Sequence, residues 1–224
     1  MLNKDELALL GRQLPFFEGL TEGQKELIRN NTFRNQFAKG KLVYSADAEC
    51  LGVLLVRSGE LRVYILSEDG REVTLYRLQA GDTCVLSAGC ILKCIRFDVN
   101  IVAEQDTEVL IVNIAAFGRL VKERPEVENF SLRNTVERFS EVMEAMEQML
   151  FYSMERRLAN FLLTELDRSG GSVLKLTHEQ IAKYIGSARE VVSRQLKVFQ
   201  EEGLIAQSRG TIRILNEKGL EDSL

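Results

Sequence analysis

The stretch Leu176–Gly203, LTHEQIAKYIGSAREVVSRQLKVFQEEG, limits the fold of this chain more than any other. Thr177 followed three residues later by Gln180 reads as a capping box at the start of a helix. The helix Glu179–Ile185 would turn Ile181, Ala182 and Ile185 to one side, and Gly186 permits a tight turn. Ser187 with Glu190 three residues on predicts a second capping box and a second helix. That helix would bury Val191, Val192, Leu196 and Phe199 and end in a left-handed cap near Gly203. Two short helices joined by a glycine turn make a helix-turn-helix. The next residues, LIAQSRGTIRILN (Leu204–Asn216), read as two strands around Ser208-Arg209-Gly210, a hairpin wing.

The second helix leaves Ser187, Ala188, Arg189, Glu190, Ser193, Arg194 and Lys197 in its N-terminal half or on its outer face. A recognition helix meets base edges with those positions. Arginine donates two bonds to guanine in the major groove, and glutamate accepts from the cytosine amino group. Thr177, His178, Lys197 and Arg209 are candidates for phosphate contacts, and Arg213 is also available to phosphates. Plainer uses exist for the same residues. Glu190 could serve only the cap, Arg189 and Arg194 could be solvated surface cations, and a helix-turn-helix can simply pack. The two caps, the glycine turn, the cationic face and the wing occur together in the expected order, which favours winged-helix DNA binding.

Bulk charge does not announce this. The chain of 224 residues has a net charge of −4. Residues 151–224 hold 11 Lys/Arg against 10 Asp/Glu, residues 1–125 hold 16 against 17, and residues 126–150 hold 2 against 6. DNA binding must therefore rest on local clusters of cations. The single histidine, His178, excludes a multi-histidine metal site. No run approaches a membrane span, and the N-terminus has no cleavage-site pattern, so a cytoplasmic location is expected. In that compartment the four cysteines are expected to be thiols.

Ahead of the C-terminal motif the texture changes twice. From Asn31 to Ile114 short β-rich runs recur, at Lys41–Ser45, Gly52–Leu66, Glu72–Leu78 and Glu108–Ile114. Turn signals separate them at Ser58-Gly59, Glu68-Asp69-Gly70 and Ala80-Gly81-Asp82. The pattern predicts a β-roll or barrel. After Pro125, Leu132, Val136, Phe139, Met143, Met146 and Leu150 are spaced 4-3-4-3-4, a heptad pattern. That spacing predicts a long amphipathic helix and favours a parallel dimer seam over packing within one domain. Helical character continues through Phe151–Arg168, up to the breaker Ser169-Gly170-Gly171-Ser172.

Taken together, GSAREVVSRQLKVFQEEGLI (Gly186–Ile205), SGELRVY (Ser58–Tyr64) and QAGD (Gln79–Asp82) resemble the Crp/Fnr superfamily of bacterial transcription regulators over nearly the whole chain. The resemblance implies an α+β chain in three parts. Residues 1–125 would form a β-roll (jelly roll) sensor like a cyclic-nucleotide-binding domain, 126–150 a dimerisation helix, and 151–224 a winged helix-turn-helix. It implies a homodimer on double-stranded DNA, with RNA polymerase as a further partner. Glu190, Ser193 and Arg194 match the operator-reading element of the Fnr-like branch, and Arg189, Glu190 and Arg194 match that of the cyclic-AMP branch. The implied operator is an inverted repeat of TTGA- or GTGA-like half-sites.

The sensor departs from the cyclic-nucleotide pattern. Leu86 stands near the expected ribose-binding Glu, and Phe97-Asp98 near the expected phosphate-binding Arg-Ser. Tight cyclic-AMP binding is therefore not expected. The effector pocket is expected at Cys84, Ser87, Cys90, Cys94 and Arg96. The cysteine spacing C-x5-C-x3-C, with Cys50 as a further candidate ligand, matches no common zinc or ferredoxin pattern. Three readings stay open for it: an iron–sulfur, haem or zinc site; thiol redox sensing; and inert core cysteines. A cupin-like enzyme is the rival of another class, disfavoured because residues 31–114 contain no histidine. A binding module whose helix-turn-helix only packs is a second rival.

Overall fold

The computed structural model describes residues 2–45, 50–85 and 99–224. The chain divides into two compact units, Met1–Ile65 with Leu75–Val142, and Leu66–Thr74 with Met143–Leu224.

The first unit begins with α1 (Lys4–Gln13) and α2 (Glu22–Asn30), each opened by a capping box, Asn3 with Glu6 and Thr21 with Gln24. Among the described residues eight strands follow: β1 (Thr32–Phe37), β2 (Leu42–Tyr44), β3 (Val53–Ser58), β4 (Glu60–Leu66), β5 (Glu72–Gln79), β6 (Thr83–Cys84), β7 (Asn100–Ala103) and β8 (Thr107–Val112). They form two antiparallel four-stranded sheets, ordered β1-β8-β3-β6 and β2-β7-β4-β5. Leu54 and Val56 of β3 pack with Leu61, Val63, Leu78, Ile101, Val109 and Ile111 in the core between the sheets. Val53 and Leu55 of the same strand face a second core with Leu10, Leu14, Phe117 and Leu120. A strand covered on both faces has no polar side to show, which is why Val53–Val56 reads as an unbroken apolar run. Between β3 and β4, Gly59 takes φ +84, and a Cβ there would meet the Asp106 carbonyl at 2.5 Å. Only glycine fits such a corner.

Two helices close this part of the chain, α3 (Ile114–Glu123) and α4 (Pro125–Phe151). Helix α4 ends at Phe151, and the helical character read through Phe151–Arg168 belongs to a second helix. Ser153 caps a separate helix, α5 (Met154–Ser169), by accepting from the Arg156 amide at 3.1 Å. A serine whose side chain closes the next helix's free amides divides what periodicity alone reads as continuous.

The second unit contains α5, β9 (Val173–Leu174), α6 (His178–Ile185), α7 (Arg189–Glu201), β10 (Ile205–Ser208), β11 (Thr211–Ile214) and α8 (Glu217–Glu221). Its core gathers Leu158, Leu162, Ile181, Ile185, Val192, Leu196, Phe199, Ile205 and Ile212. The three-stranded sheet runs β10-β11-β9. The fold is the expected one: a cyclic-nucleotide-binding-like β-roll, a long helix and a winged helix-turn-helix. Among the described residues no helix is long and apolar enough to cross a membrane.

Candidate nucleic-acid interface

The turn between α6 and α7 is set by how α6 ends. The Thr177 hydroxyl accepts from the Gln180 amide at 3.2 Å, and the Gln180 side chain accepts from the Thr177 amide at 2.9 Å. At the other end Gly186 is left-handed, φ +61, and the Ser187 amide donates back to the Ala182 carbonyl at 2.9 Å. That bond makes Ser187 part of the closing of α6. The expected cap at Ser187 is therefore corrected. The N-cap of α7 is Ala188, which makes no side-chain cap bond, and Glu190 has no capping box to serve. A second correction concerns Val191, which is exposed while Val192, Leu196 and Phe199 are buried.

Opposite that buried stripe, Arg189, Glu190, Arg194 and Lys197 are exposed, and Ser193 is half-buried. Lys197 pairs with Glu201 at 3.6 Å, a solvent-exposed pair of little strength. Among the described residues Arg189, Glu190 and Arg194 have no ion-pair partner. The wing pairs Ile205 with Ile214 and Ser208 with Thr211, leaving Arg209-Gly210 as a two-residue turn. Ile212 and Ile214 point into the core, so the intervening Arg213 points out, and Arg209 is exposed at the tip.

His178 is placed differently from a phosphate donor in solvent. Its Nδ1 lies 2.7 Å from Ser193 Oγ and its Nε2 lies 3.0 Å from Gln207 Oε1. The Gln207 Nε2 donates to the Leu196 carbonyl at 3.0 Å, which leaves Gln207 Oε1 as the acceptor. With the imidazole neutral, the proton is then on Nε2, and the Ser193 hydroxyl donates to Nδ1. Ser193 keeps lone pairs to accept a hydrogen bond, while its own hydrogen is committed. Gln207 was absent from the sequence expectations, since a wing glutamine carries no motif.

The long helix α4 has two distinct faces. Leu132, Val136, Phe139, Met143, Met146 and Leu150 lie along one exposed face, with Val136 62%, Phe139 60% and Leu150 69% accessible. Val127, Ser131, Asn134 and Arg138 lie along the buried one. Arg138 Nη1 donates to Glu141 Oε1 at 2.7 Å, and its Nη2 lies 3.6 Å from Asp82 Oδ1. Its guanidinium also sits 5.3 Å from the Tyr76 ring centre. Burial opposes the charge of Arg138, but the bond to Glu141 and the Glu141 and Asp82 charges raise its pKa overall. Burial above all pushes the Tyr76 phenol well above its ordinary range, and the Cys84 thiol beside it adds to the shift.

Of the expected effector-pocket residues, Cys84 is a buried thiol among the core side chains. Ser87, Cys90, Cys94 and Arg96 lie outside the described residues. Cys50 is disulfide-bonded. The expectation of four thiols is corrected at that position: it followed from compartment chemistry, which says nothing of which sulfurs the fold brings together. Among the described residues no group of three or more His, Cys, Asp or Glu is placed to hold a metal ion.

Residues 156–223 match the Crp-like helix-turn-helix domain, and residues 34–124 match the cyclic nucleotide-binding domain. The transcriptional regulator Flp of Lacticaseibacillus casei is 30% identical, over 93% of this chain and 95% of its own length. A solved Crp/Fnr-family structure from Eubacterium rectale is 44% identical and covers 94% of this chain and 98% of its own, with a TM-score of 0.91. The chain belongs to the Crp/Fnr family. Another member, the cyclic AMP receptor protein of Thermus thermophilus, is 26% identical over 93% of this chain and 95% of its own length. Crp/Fnr relatives of this kind are transcription regulators with a DNA-binding helix-turn-helix.

Proposed function

We propose that this chain is a homodimeric, sequence-specific DNA-binding regulator that acts in the cytoplasm together with RNA polymerase and carries no catalytic activity. Two copies of α7 enter successive major grooves of an inverted repeat with TTGA- or GTGA-like half-sites. The observation that carries this reading is the face of α7. Arg189, Glu190 and Arg194 stand exposed opposite a fully buried Val192, Leu196 and Phe199. Arg189, Glu190, Ser193 and Arg194 read bases, while Ser187, Thr177, Lys197 and Arg209 line the backbone. His178 serves by holding Ser193. The exposed apolar stripe of α4 is the seam of the dimer, since a stripe that large and regular on a soluble helix marks a partner.

The test is binding to the chain's own promoter region by fluorescence anisotropy. An inverted repeat should bind at least about 10³-fold more tightly than scrambled DNA at equal salt. Equal affinity for both would overturn the reading.

The β-roll is the sensor. Cyclic AMP is not its effector, because Leu86 and Phe97-Asp98 replace the sugar acceptor and phosphate clamp, and charged hydrogen bonds contribute roughly 1.5–3 kcal/mol each. Saturating cyclic AMP should leave the melting curve unchanged; a large upward shift refutes this. The Cys50 disulfide favours a second reading, in which oxidation and reduction set DNA affinity. Operator binding that is the same under dithiothreitol and diamide removes it.

A further inference from the structure

The buried face of α4 raises a problem of hydrogen-bond accounting. Asn134 is 8% exposed and Arg138 9%, and Glu141 follows one turn later on the same face. Asn134 Nδ2 donates to the Thr83 carbonyl at 3.3 Å. A carbonyl can only accept, so the amide orientation is fixed, and Asn134 Oδ1 is left buried with no donor. Arg138 Nη1 donates to Glu141, its Nη2 forms a 3.6 Å ion pair with Asp82, and its Nε is buried with no acceptor. Glu141 receives Arg138 on Oε1, and its Oε2 is buried with no donor. Three orphaned polar atoms thus lie within two turns of one helix, and a fourth, the buried Tyr76 hydroxyl, belongs to the ring that the Arg138 guanidinium covers, near Asp82 and Cys84. Buried polar groups in native proteins are almost always partnered, by protein, water or ligand.

The orphans specify a complement. Two of them accept, one donates, and the Tyr76 hydroxyl can do either. Among the described residues the charges at this place are Asp82 and Glu141 against Arg138, one negative charge in excess. That balance disfavours an anion. A primary carboxamide or urea head group has the matching count: one carbonyl oxygen with two lone pairs to accept from Arg138 Nε and the Tyr76 hydroxyl, and two N–H to donate to Asn134 Oδ1 and Glu141 Oε2. It is also uncharged. We propose that this stripe of α4 is the recognition floor of the sensor's effector site, and that the effector is a small neutral molecule bearing a primary carboxamide or urea group. The inference rests on the reading of the β-roll as the sensor and names the chemistry that it senses.

The experiment uses the full-length protein and a probe panel of nicotinamide, benzamide and phenylurea. Nicotinate, benzoate and cyclic AMP serve as charged counterparts. Thermal melting and operator anisotropy are read on the same preparations. At least one carboxamide or urea probe should raise the melting temperature by about 3 °C or more, with its carboxylate counterpart silent. Glu141→Gln, which keeps shape while removing charge, and Asn134→Leu should each weaken that probe at least about 10-fold. Should Asn134→Leu fail to fold, Glu141→Gln still decides. A panel without any shift overturns the inference and leaves water as the partner of the orphans. A response to the carboxylates or to cyclic AMP overturns it too, as does a shift that survives both substitutions. Operator binding that persists while the probes are silent breaks this inference alone; absence of operator binding breaks the regulator reading instead.

Discussion

Helices α4 and α7 are amphipathic in opposite senses. In α7 the apolar stripe Val192, Leu196, Phe199 is buried and the exposed face is cationic and polar. In α4 the buried stripe holds Ser131, Asn134 and Arg138, while Leu132, Val136 and Phe139 stand in solvent. The hydrophobic effect acts on both alike, so the difference must lie in what each helix has yet to meet. A face that is cationic and exposed suits a polyanion; a face that is apolar and exposed suits another apolar face. The contrast also shows that periodicity in a sequence locates the two faces of a helix without saying which of them is inside.

The contrast can be broken most forcefully at the α4 seam. Phe139→Asp places a charge where the proposed second copy packs. Because Phe139 is 60% exposed, the fold of one chain should survive. Sedimentation should report monomers, and operator affinity should fall by roughly 100-fold or more, on the order of 3 kcal/mol, the cost of a buried unpaired charge. A dimer that persists would remove the seam. On α7, Arg194→Ala should cost roughly 1–3 kcal/mol at the operator with the melting temperature unchanged. Unchanged operator affinity would mean that α7 does not read bases. The neighbours Val191 and Val192 sharpen the inside–outside boundary. Val192→Ala should destabilise by about 2 kcal/mol in urea unfolding, and Val191→Ala by under about 0.5 kcal/mol. Equal effects would mean that α7 is rotated from the orientation described. The smallest effect is expected from Lys197→Ala, a uniform weakening on all DNA sequences that lowers the salt slope by about one. A loss confined to the specific operator would move Lys197 from phosphate to base contact.

Much of this was legible in the sequence because local chemistry and tertiary packing agree there. Thr177-x-x-Gln180, Gly186 and the stripe ending at Phe199 place α6 and α7 within a residue or two. The cap of α7 was misplaced because Ser187 is a good cap in isolation, yet its amide is drawn into closing α6. Strand β1, TFRNQF, escaped notice because it is polar over most of its length; its pairing with β8, from Thr32 opposite Val112 to Phe37 opposite Thr107, makes it a strand. The two residues of β6 are too few for any pattern. Likewise Asn134 and Arg138 look like solvent-facing residues in a charged helix. Their one readable sign is that Ser131, Asn134 and Arg138 repeat the heptad spacing of the apolar seam on another face. The Cys50 disulfide depends on which sulfurs the fold juxtaposes, a relation that sequence spacing does not encode.

The bridge from Ser193 through His178 and Gln207 to the Leu196 carbonyl fastens α6, α7 and the first wing strand to one another. A unit joined in this way is stiff: a wing lifted by an ill-fitting backbone would drag α7, the proposed base-reading helix, with it. Cooperativity between groove and backbone contacts is then built into the protein before any DNA arrives. A poor operator would be rejected as a whole, with little chance to compensate for one bad half of the contact by tightening the other.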